Sequence, residues 1–325
     1  MKTKKLGYTD LDLTVIGFGT WAIGGENWGM SWGIQDDQDS IKVIQHAIDL
    51  GINWIDTAAI YGMGHSEEVV GKAIAGRRDQ VTIATKGSLV WDHEKRVINN
   101  VLNAAGIRQE VEDSLRRLNI EFIDLYQIHV PMPDEDIEEG WGCVADLIKE
   151  GKIRYAGVSN FSVEQLKRIQ PIHPVASLQP PYSMIKREVE DELLGYCAKN
   201  QIGVIVYSPM QAGLLTGKFS KEHLKKLEAS DWRLADIEFQ GKQFEINLDY
   251  VEKLKPIAER NGRPLSQLAI AWVLRRSEVT SAIVGARRAD QIEQTIGAAE
   301  WELSQMDIAE IGSLLAERDQ ALAGL

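Results

Sequence analysis

Short β-branched and apolar runs alternate with amphipathic segments along most of this sequence. Several runs are apolar almost without interruption, which is typical of strands in a parallel sheet that helices cover on both faces. The intervening segments have helical periodicity, and residues 39–51 are an example, with one face formed by Ile41, Val43, Ile44, Ala47 and Ile48. Eight runs are present: 14–20 (TVIGFGT), 53–59 (NWIDTAA), 81–87 (VTIATKG), 123–130 (IDLYQIHV), 154–160 (RYAGVSN), 175–182 (VASLQPPY), 203–209 (GVIVYSP) and 280–286 (TSAIVGA).

Eight βα units in a chain of 325 residues predict an α/β protein with a (β/α)8 TIM barrel. A doubly wound parallel sheet is the alternative. No linker or change of composition divides the chain, so we expect residues 1–325 to form a single domain. Residues 2–13 predict a small N-terminal hairpin that closes the bottom of the barrel. The stretch from Met210 to about Leu248 is far longer than an ordinary βα connection, which indicates a long lid loop after strand 7.

Composition and charge exclude several classes of function. The chain has 36 basic and 48 acidic residues, a net charge of −12, and no long basic cluster, so a nucleic-acid partner is not expected. No apolar run is long enough for a signal peptide or a membrane span, which predicts a cytoplasmic protein without a membrane partner. Cys143 and Cys197 lack metal-ligand spacing, so we expect no metal site and two buried thiols in a reducing compartment.

Ionisable side chains end three successive apolar runs. Asp56 ends the second, Lys86 the third and His129 the fourth, and Tyr61 follows Asp56 in the second loop. Taken singly, each has an ordinary structural explanation, such as a turn cap, loop packing, a surface charge or a core histidine. Together they indicate a site, because the carboxyl ends of barrel strands share one mouth and a buried charge without a partner costs several kcal/mol.

The acid strengths of these groups predict proton donation. An adjacent ammonium would lower the pKa of the Tyr61 phenol from its ordinary value of about 10, and Asp56 would keep the desolvated Lys86 charged. His129 would hydrogen-bond to an incoming carbonyl oxygen and orient it. The set contains no nucleophile, so the attacking species must come from a cofactor.

The ordered motifs of this chain resemble those of the aldo-keto reductases along nearly its whole length. The resemblance implies reduction of aldehydes or ketones to alcohols with NADPH/NADP+, and an Asp-Tyr-Lys-His catalytic set at Asp56, Tyr61, Lys86 and His129. Within that family the chain resembles the bacterial, monomeric general-stress branch, and it shares much of the pattern of voltage-gated potassium channel β subunits. The motifs are 17–25 (GFGTWAIGG), 56–71 (DTAAIYGMGHSEEVVG), 84–86 (ATK), 124–129 (DLYQIH), 157–162 (GVSNFS), 207–218 (YSP with GLLTGK) and 285–294 (GARRADQIEQ).

The resemblance also implies where the cofactor binds. Ser159, Asn160 and Gln179 have groups that could hydrogen-bond to the nicotinamide carboxamide, and Tyr207 offers a flat face to the ring. Arg287 can donate a forked pair of hydrogen bonds to a 2′-phosphate near a helix that opens at about Asp290, which favours NADPH over NADH. The full set of cofactor contacts is Thr20, Trp21, Asp56, Ser159, Asn160, Gln179, Tyr207, Ser208, Met210, Gly213, Leu214, Lys218, Arg233, Gly285, Arg287, Gln291 and Gln294.

One position departs from the commonest family pattern. Many members have Glu-Asn where this chain has Gln294 and Thr295, which affects the contacts to adenine. A glutamine can still accept from the adenine amino group, because its carbonyl oxygen is an acceptor.

The substrate pocket is expected to be aromatic, with walls formed by Trp21, Trp28, Trp32 and Trp91. Such a pocket would accept small carbonyl compounds without strong discrimination among them. The notable alternatives are an NADP(H)-sensing regulatory protein with slow turnover and a Schiff-base lyase that uses Lys86 as its nucleophile. By resemblance the protein is expected to be a monomer.

Overall fold

Eight parallel strands of the chain close into a barrel in the computed structural model, which describes residues 1–25, 30–92, 94–95, 97–228 and 231–325. The last barrel strand pairs with the first, so the barrel sheet has no edge. The predicted TIM barrel is therefore confirmed, and the doubly wound sheet is excluded. The strands are β1 (Thr3–Lys5), β2 (Asp12–Thr14), β3 (Ile16–Gly19), β4 (Trp54–Asp56), β5 (Thr82–Gly87), β6 (Leu89–Asp92), β7 (Val97–Asn100), β8 (Ile123–Ile128), β9 (Ile153–Ser159), β10 (Ser177–Gln179), β11 (Gly203–Val206) and β12 (Val279–Gly285), and the barrel consists of β3–β5 and β8–β12.

Helices surround the barrel and bury their apolar faces against it. On α1 the buried residues are Val43, Ile44, Ala47 and Ile48, and Ile41 packs beside them, as the periodicity predicted. The helices are α1 (Asp37–Asp49), α2 (His65–Ala73), α3 (Ala104–Leu118), α4 (Ile137–Lys149), α5 (Val163–Ile169), α6 (Leu193–Lys199), α7 (Lys221–Leu224), α8 (Gly241–Arg260), α9 (Leu265–Leu274), α10 (Ala289–Ile296) and α11 (Gln305–Ala323). None of the helices in the described ranges has the length and apolar composition needed to cross a membrane.

The N-terminal hairpin closes the bottom of the barrel, as predicted. Strands β1 and β2 pair antiparallel, and three leucines of the hairpin, Leu6, Leu11 and Leu13, are buried. They join an apolar cluster with Trp54, Ala84, Leu125, Ile205 and Ile283 from the barrel strands. The lower barrel is therefore filled with apolar side chains, whereas the polar residues lie toward the carboxyl ends of the strands.

The connection after β11 is long but largely structured. It contains short 3-10 turns at Gln211–Thr216, Trp232–Ala235 and Ile237–Phe239, and the helix α7. Helix α8 begins at Gly241. The expectation that the loop runs to about Leu248 is therefore wrong, because the first two turns of α8 belong to that stretch and bury Phe244 and Asn247.

Candidate active site

A buried ion pair lies at the carboxyl end of the barrel. The Nζ atom of Lys86, on β5, is 2.7 Å from Oδ2 of Asp56, the last residue of β4. It also donates to the backbone oxygen of Thr57 at 2.9 Å. Lys86 is fully buried and Asp56 is 3% exposed, so each charge relies on the other for compensation.

The phenol of Tyr61 is the third member of this cluster. Its Oη atom accepts a hydrogen bond from Lys86 Nζ at 3.2 Å. The turn that carries Tyr61 packs against the first loop, where Gly62, at φ +61°, lies so close to Gly24 that a Cβ atom would overlap the Gly24 carbonyl oxygen. A glycine is required here for both reasons, and this contact fixes the backbone next to the phenol.

The pKa values of the cluster differ in part from expectation. Burial raises the pKa of Tyr61 well above 10, and the charge of Asp56 adds to the rise. The prediction that Lys86 lowers the pKa of Tyr61 is therefore wrong for this structure, because the phenol is buried and Asp56 balances the lysine's charge. Burial lowers the pKa of Lys86 and Asp56 opposes that shift, as predicted. Tyr61 consequently holds its proton at neutral pH.

His129 follows β8 directly and lies beside the phenol. Its ring centroid is 5.8 Å from that of Tyr61 in an edge-on arrangement. Burial, followed by the charge of Lys86, lowers the pKa of His129 well below 6.5. The imidazole is therefore neutral near pH 7, and one of its ring nitrogens can donate to an oxygen placed at the mouth.

Four residues that the resemblance assigned to the nicotinamide end form one hydrogen-bonded chain. Asn160 accepts from Tyr207 Oη at 3.0 Å and donates to Ser159 Oγ at 3.0 Å. Ser159 Oγ donates to the backbone oxygen of Gln179 at 2.8 Å. The amide of Gln179 donates to Asp56 Oδ1 at 2.8 Å, which links the chain to the ion pair. Burial raises the pKa of Tyr207 to about 12, so its hydroxyl stays protonated.

The loop after β11 has an unusual backbone. Ser208, Gln211, Ala212 and Gly213 all have φ between +46° and +94°, and the last three are consecutive. Non-glycine residues rarely adopt this conformation, and such strain is commonly found where a backbone contacts a ligand. Leu214 is fully buried, and Met210 packs partly into the core.

Lys218 and Gln294 join the end of this loop to α10. The Nζ atom of Lys218 donates to Gln294 Oε1 at 3.0 Å. Helix α10 begins at Ala289, close to the predicted position, and Gln291 Oε1 accepts from the backbone nitrogen of Arg287 at 2.7 Å. Gly285, the last residue of β12, is exposed beside this turn.

The guanidinium of Arg287 is held by the first loop. It donates to Gln35 Oε1 at 2.7 Å, to the backbone oxygen of Trp32 at 2.8 Å and to that of Ile34. Burial lowers the pKa of Arg287, and the charges of Arg233 and Arg288 lower it further. Arg233 itself pairs with Asp231 and lies 4.8 Å from the centre of the Trp32 ring. Cationic side chains therefore gather along this end of an acidic protein.

Comparison with known proteins identifies the relatives of this barrel. Residues 15–316 match the Aldo/keto reductase family. The chain belongs to the aldo/keto reductase family. It is 40% identical to aldo-keto reductase YhdN of Bacillus subtilis (strain 168), covering 97% of this chain and 94% of that protein. It is 35% identical to an NADH-specific methylglyoxal reductase of Escherichia coli (strain K12), covering 99% of both.

A solved structure gives the same assignment. The glycerol dehydrogenase AKR11B4 from Gluconobacter oxydans superposes with a TM-score of 0.88 at 37% identity, covering 98% of this chain and 96% of that one. The protein is therefore an oxidoreductase of the aldo/keto reductase family, whose members use nicotinamide cofactors. Within the described ranges, no group of three or more His, Cys, Asp or Glu residues is placed to hold a metal ion.

Tryptophans surround the mouth of this aldo/keto reductase. Trp21 lies 5.5 Å from the Tyr61 ring, and its Nε1 atom donates to the backbone oxygen of Met30. Trp91, on β6, packs in the same small cluster as Tyr61. Trp32 lies farther along, under Arg233. Trp28, also predicted in the pocket, lies outside the described residues.

Sequence reasoning missed three features of the site. Trp232 lies 6.1 Å from Trp21, so the loop after β11 reaches the mouth, and its position beside Arg233 was the available signal. Gln127, two residues before His129, is fully buried and bonded to Gln179. The third is a structural role for Thr20, which is also predicted to contact the cofactor: its buried hydroxyl donates to the backbone oxygen of Asp56 and so supports the end of β4.

Proposed function

We propose that this protein reduces aldehydes or ketones to alcohols with NADPH, and that Tyr61 is the proton donor. The observation that carries the proposal is the buried chain from Asp56 through Lys86 to the Tyr61 hydroxyl, with contacts of 2.7 and 3.2 Å. All three groups lie at the mouth of the barrel, where enzymes of this fold carry their active sites.

Each residue of the cluster has one task. Tyr61 holds a proton on Oη until an oxyanion forms beside it, and Lys86 stabilises the phenolate that remains. Asp56 keeps Lys86 charged despite its burial. His129 donates to the carbonyl oxygen and orients it, which a neutral imidazole can do.

The residues along the groove fit a dinucleotide. A bound NADPH would supply the hydride. Its carboxamide would be held by Ser159, Asn160 and Gln179. Its pyrophosphate would lie against the strained loop at 211–213 and Lys218, and its 2′-phosphate would be bound by Arg287. The cations along this groove support that assignment, because they are concentrated on a protein with a net charge of −12. Among the relatives, one is named as an NADP(+) enzyme and one as NADH-specific.

The substrate is proposed to be a small carbonyl compound. The aromatic wall of Trp21, Trp91 and Trp232 would exclude water and contact an apolar substituent. The names of the relatives include methylglyoxal reductase and glycerol dehydrogenase, and both substrates are small and oxygenated.

A substrate screen tests the proposal directly. Oxidation of NADPH and of NADH is followed with a panel of aldehydes and ketones. The Tyr61→Phe variant is expected to lose about a hundredfold or more in kcat while it still binds NADPH, because only the proton donor is removed. Turnover by Tyr61→Phe at the wild-type rate would refute the role of Tyr61.

The Schiff-base alternative is disfavoured by the geometry of Lys86. Its ammonium donates to Asp56, Thr57 and Tyr61, so all three N–H groups already have partners. An amine held in this way is not presented to a substrate carbon.

A further inference from the structure

We propose that Gln127 is a positioning residue that fixes which end of the Gln179 amide faces the cofactor. The inference rests on the proposed function, because it concerns the nicotinamide end of the same groove. It goes beyond that function by assigning a task to a side chain that the proposed chemistry does not use.

Gln127 lies inside the barrel below the active site. It is on β8, where it pairs with Lys86 of β5 on one side and Gly157 of β9 on the other. Its side chain is fully buried, and its Oε1 atom accepts a hydrogen bond from Gln179 Nε2 at 3.3 Å. The same Nε2 atom donates to Asp56 Oδ1 at 2.8 Å. Gln127, Gln179 and Asp56 therefore form one row of hydrogen bonds across the barrel.

The negative charge of Asp56 determines which way the side-chain amides of this row are turned. A carboxylate only accepts hydrogen bonds, so it selects the amino end of the Gln179 amide. That amino group has two hydrogens, and Asp56 and Gln127 each accept one of them. Gln127 must then turn its oxygen toward Gln179. The carbonyl oxygen of Gln179 is left at the end of the amide that faces away from both partners.

The orientation of the Gln179 amide has a consequence for the bound cofactor. A nicotinamide carboxamide is itself asymmetric, with an acceptor oxygen and a donor NH2 group. A Gln179 side chain that presents only its oxygen selects the NH2 end. Gln127 thus acts through Gln179 on cofactor affinity.

The amide nitrogen of Gln127 lies in apolar or unpaired surroundings. Within the described part of the chain, its Nε2 atom and the nearby Ser177 Oγ are buried without a hydrogen-bond partner. Burying such groups is unfavourable, and an apolar side chain of the same length would avoid the penalty. Gln127→Met also leaves the second N–H of Gln179 without an acceptor, so a change in stability alone does not distinguish the two roles. A positioning role is distinguished by cofactor binding that Gln127→Glu retains and Gln127→Met loses.

A pair of isosteric variants tests the proposal. Gln127→Met removes the acceptor oxygen, and Gln127→Glu keeps one in either protonation state. We expect Gln127→Met to bind NADPH about three- to tenfold more weakly, which corresponds to one lost hydrogen bond, and Gln127→Glu to bind within about twofold of the wild type. Binding is measured by fluorescence titration without substrate, and chemical unfolding gives the stability of each variant. Gln127→Leu provides the same comparison should the methionine variant not fold.

The possible failures are distinguishable. Wild-type binding of NADPH by Gln127→Met would overturn the role of Gln127, and so would equal weakening in Gln127→Met and Gln127→Glu, since the acceptor would then not matter. A wild-type protein that neither binds NADPH nor reduces any carbonyl compound would instead overturn the proposed function itself.

Discussion

At the scale of single residues, two buried carboxylates near Lys86 have different partners. Asp56 is paired with Lys86, whereas Glu110, on α3, accepts only a backbone N–H from Ser88 at 2.7 Å, and within the described ranges its other oxygen has no partner. Burial raises the pKa of Glu110 to about 7, and the charge of Glu67 contributes to the rise. Glu110 therefore changes charge in the neutral range, behind the strand that carries Lys86.

This shift predicts that the free energy of unfolding depends on pH through Glu110. The pKa is about 7 in the folded protein and about 4.5 in the unfolded chain, so the stabilisation is complete below about pH 4.5 and is lost as pH rises through 7. Glu110→Gln keeps the acceptor oxygen but cannot ionise. It should match the wild type near pH 4 and exceed it by about 3 kcal/mol near pH 8 in urea unfolding.

The control for this prediction removes the same charge at the surface. Glu121 is exposed in the connection between α3 and β8. Glu121→Gln should leave the pH dependence of stability unchanged. An equal gain for both variants at pH 8 would mean that net charge, and not the buried site, is responsible.

Residue types at strand ends could be predicted from the sequence, but their acid strengths could not. Asp56, Lys86 and His129 each follow an apolar run, and the barrel topology alone brings them to one mouth. The pKa of Tyr61 depends on how completely packing buries the phenol and on the balance between two opposite charges. Those quantities exist only in the assembled structure, which is why the predicted direction of that shift was wrong.

At the scale of elements, the active-site turn depends on a contact between two loops. Gly24, in the first loop, and Gly62, next to Tyr61, approach each other closely enough that neither has room for a side chain. Gly62 also has φ +61°. The position of the phenol is thus set partly by backbone packing outside its own loop.

Substitution of Gly62 by alanine should be far more costly than a matched change elsewhere. Gly76 has φ +74° but open space around its Cβ direction, so Gly76→Ala is expected to lose about 1 kcal/mol from backbone strain alone. Gly62→Ala should lose about 3 kcal/mol, because overlap with Gly24 is added to the strain. Its kcat should also fall, whereas that of Gly76→Ala should not. Equal losses in urea unfolding would show that the loop contact is not tight.

The elements that were predicted and those that were missed differ in their patterns. The barrel strands are continuous apolar runs, and their number was read correctly. The hairpin of β6 and β7 was not predicted, since its strands have four residues each and are half-buried or exposed. The loop was expected to run past the start of α8, because Gly241 and the charged residues that follow it have the composition of a loop.

At the scale of the whole molecule, charge is distributed unevenly. The chain carries a net charge of −12, yet Lys218, Arg233, Arg287 and Arg288 are associated with the ends of β11 and β12. The composition predicted the net negative charge. Only the resemblance predicted this local group of four cations, because they are separated by up to seventy residues in sequence. A monomeric state and a cytoplasmic location stay predictions.

The distribution of charge predicts how salt and Arg287 affect cofactor binding. Raising the ionic strength from about 0.01 M to about 0.1 M shortens the screening length from about 30 Å to about 10 Å, so the affinity for NADPH should fall more than that for NADH, which has fewer charges.

Arg287→Ala should weaken NADPH binding by about tenfold or more and flatten this salt dependence, since charge-assisted hydrogen bonds are lost. Arg288→Ala is the matched control, because Arg288 is exposed and paired with Asp290. Arg287 also holds the backbone of Trp32 and Ile34, and loss of that contact alone would weaken NADH and NADPH binding equally. Fluorescence titration with both cofactors separates the two effects, and an equal loss for both would reject Arg287 as the phosphate ligand.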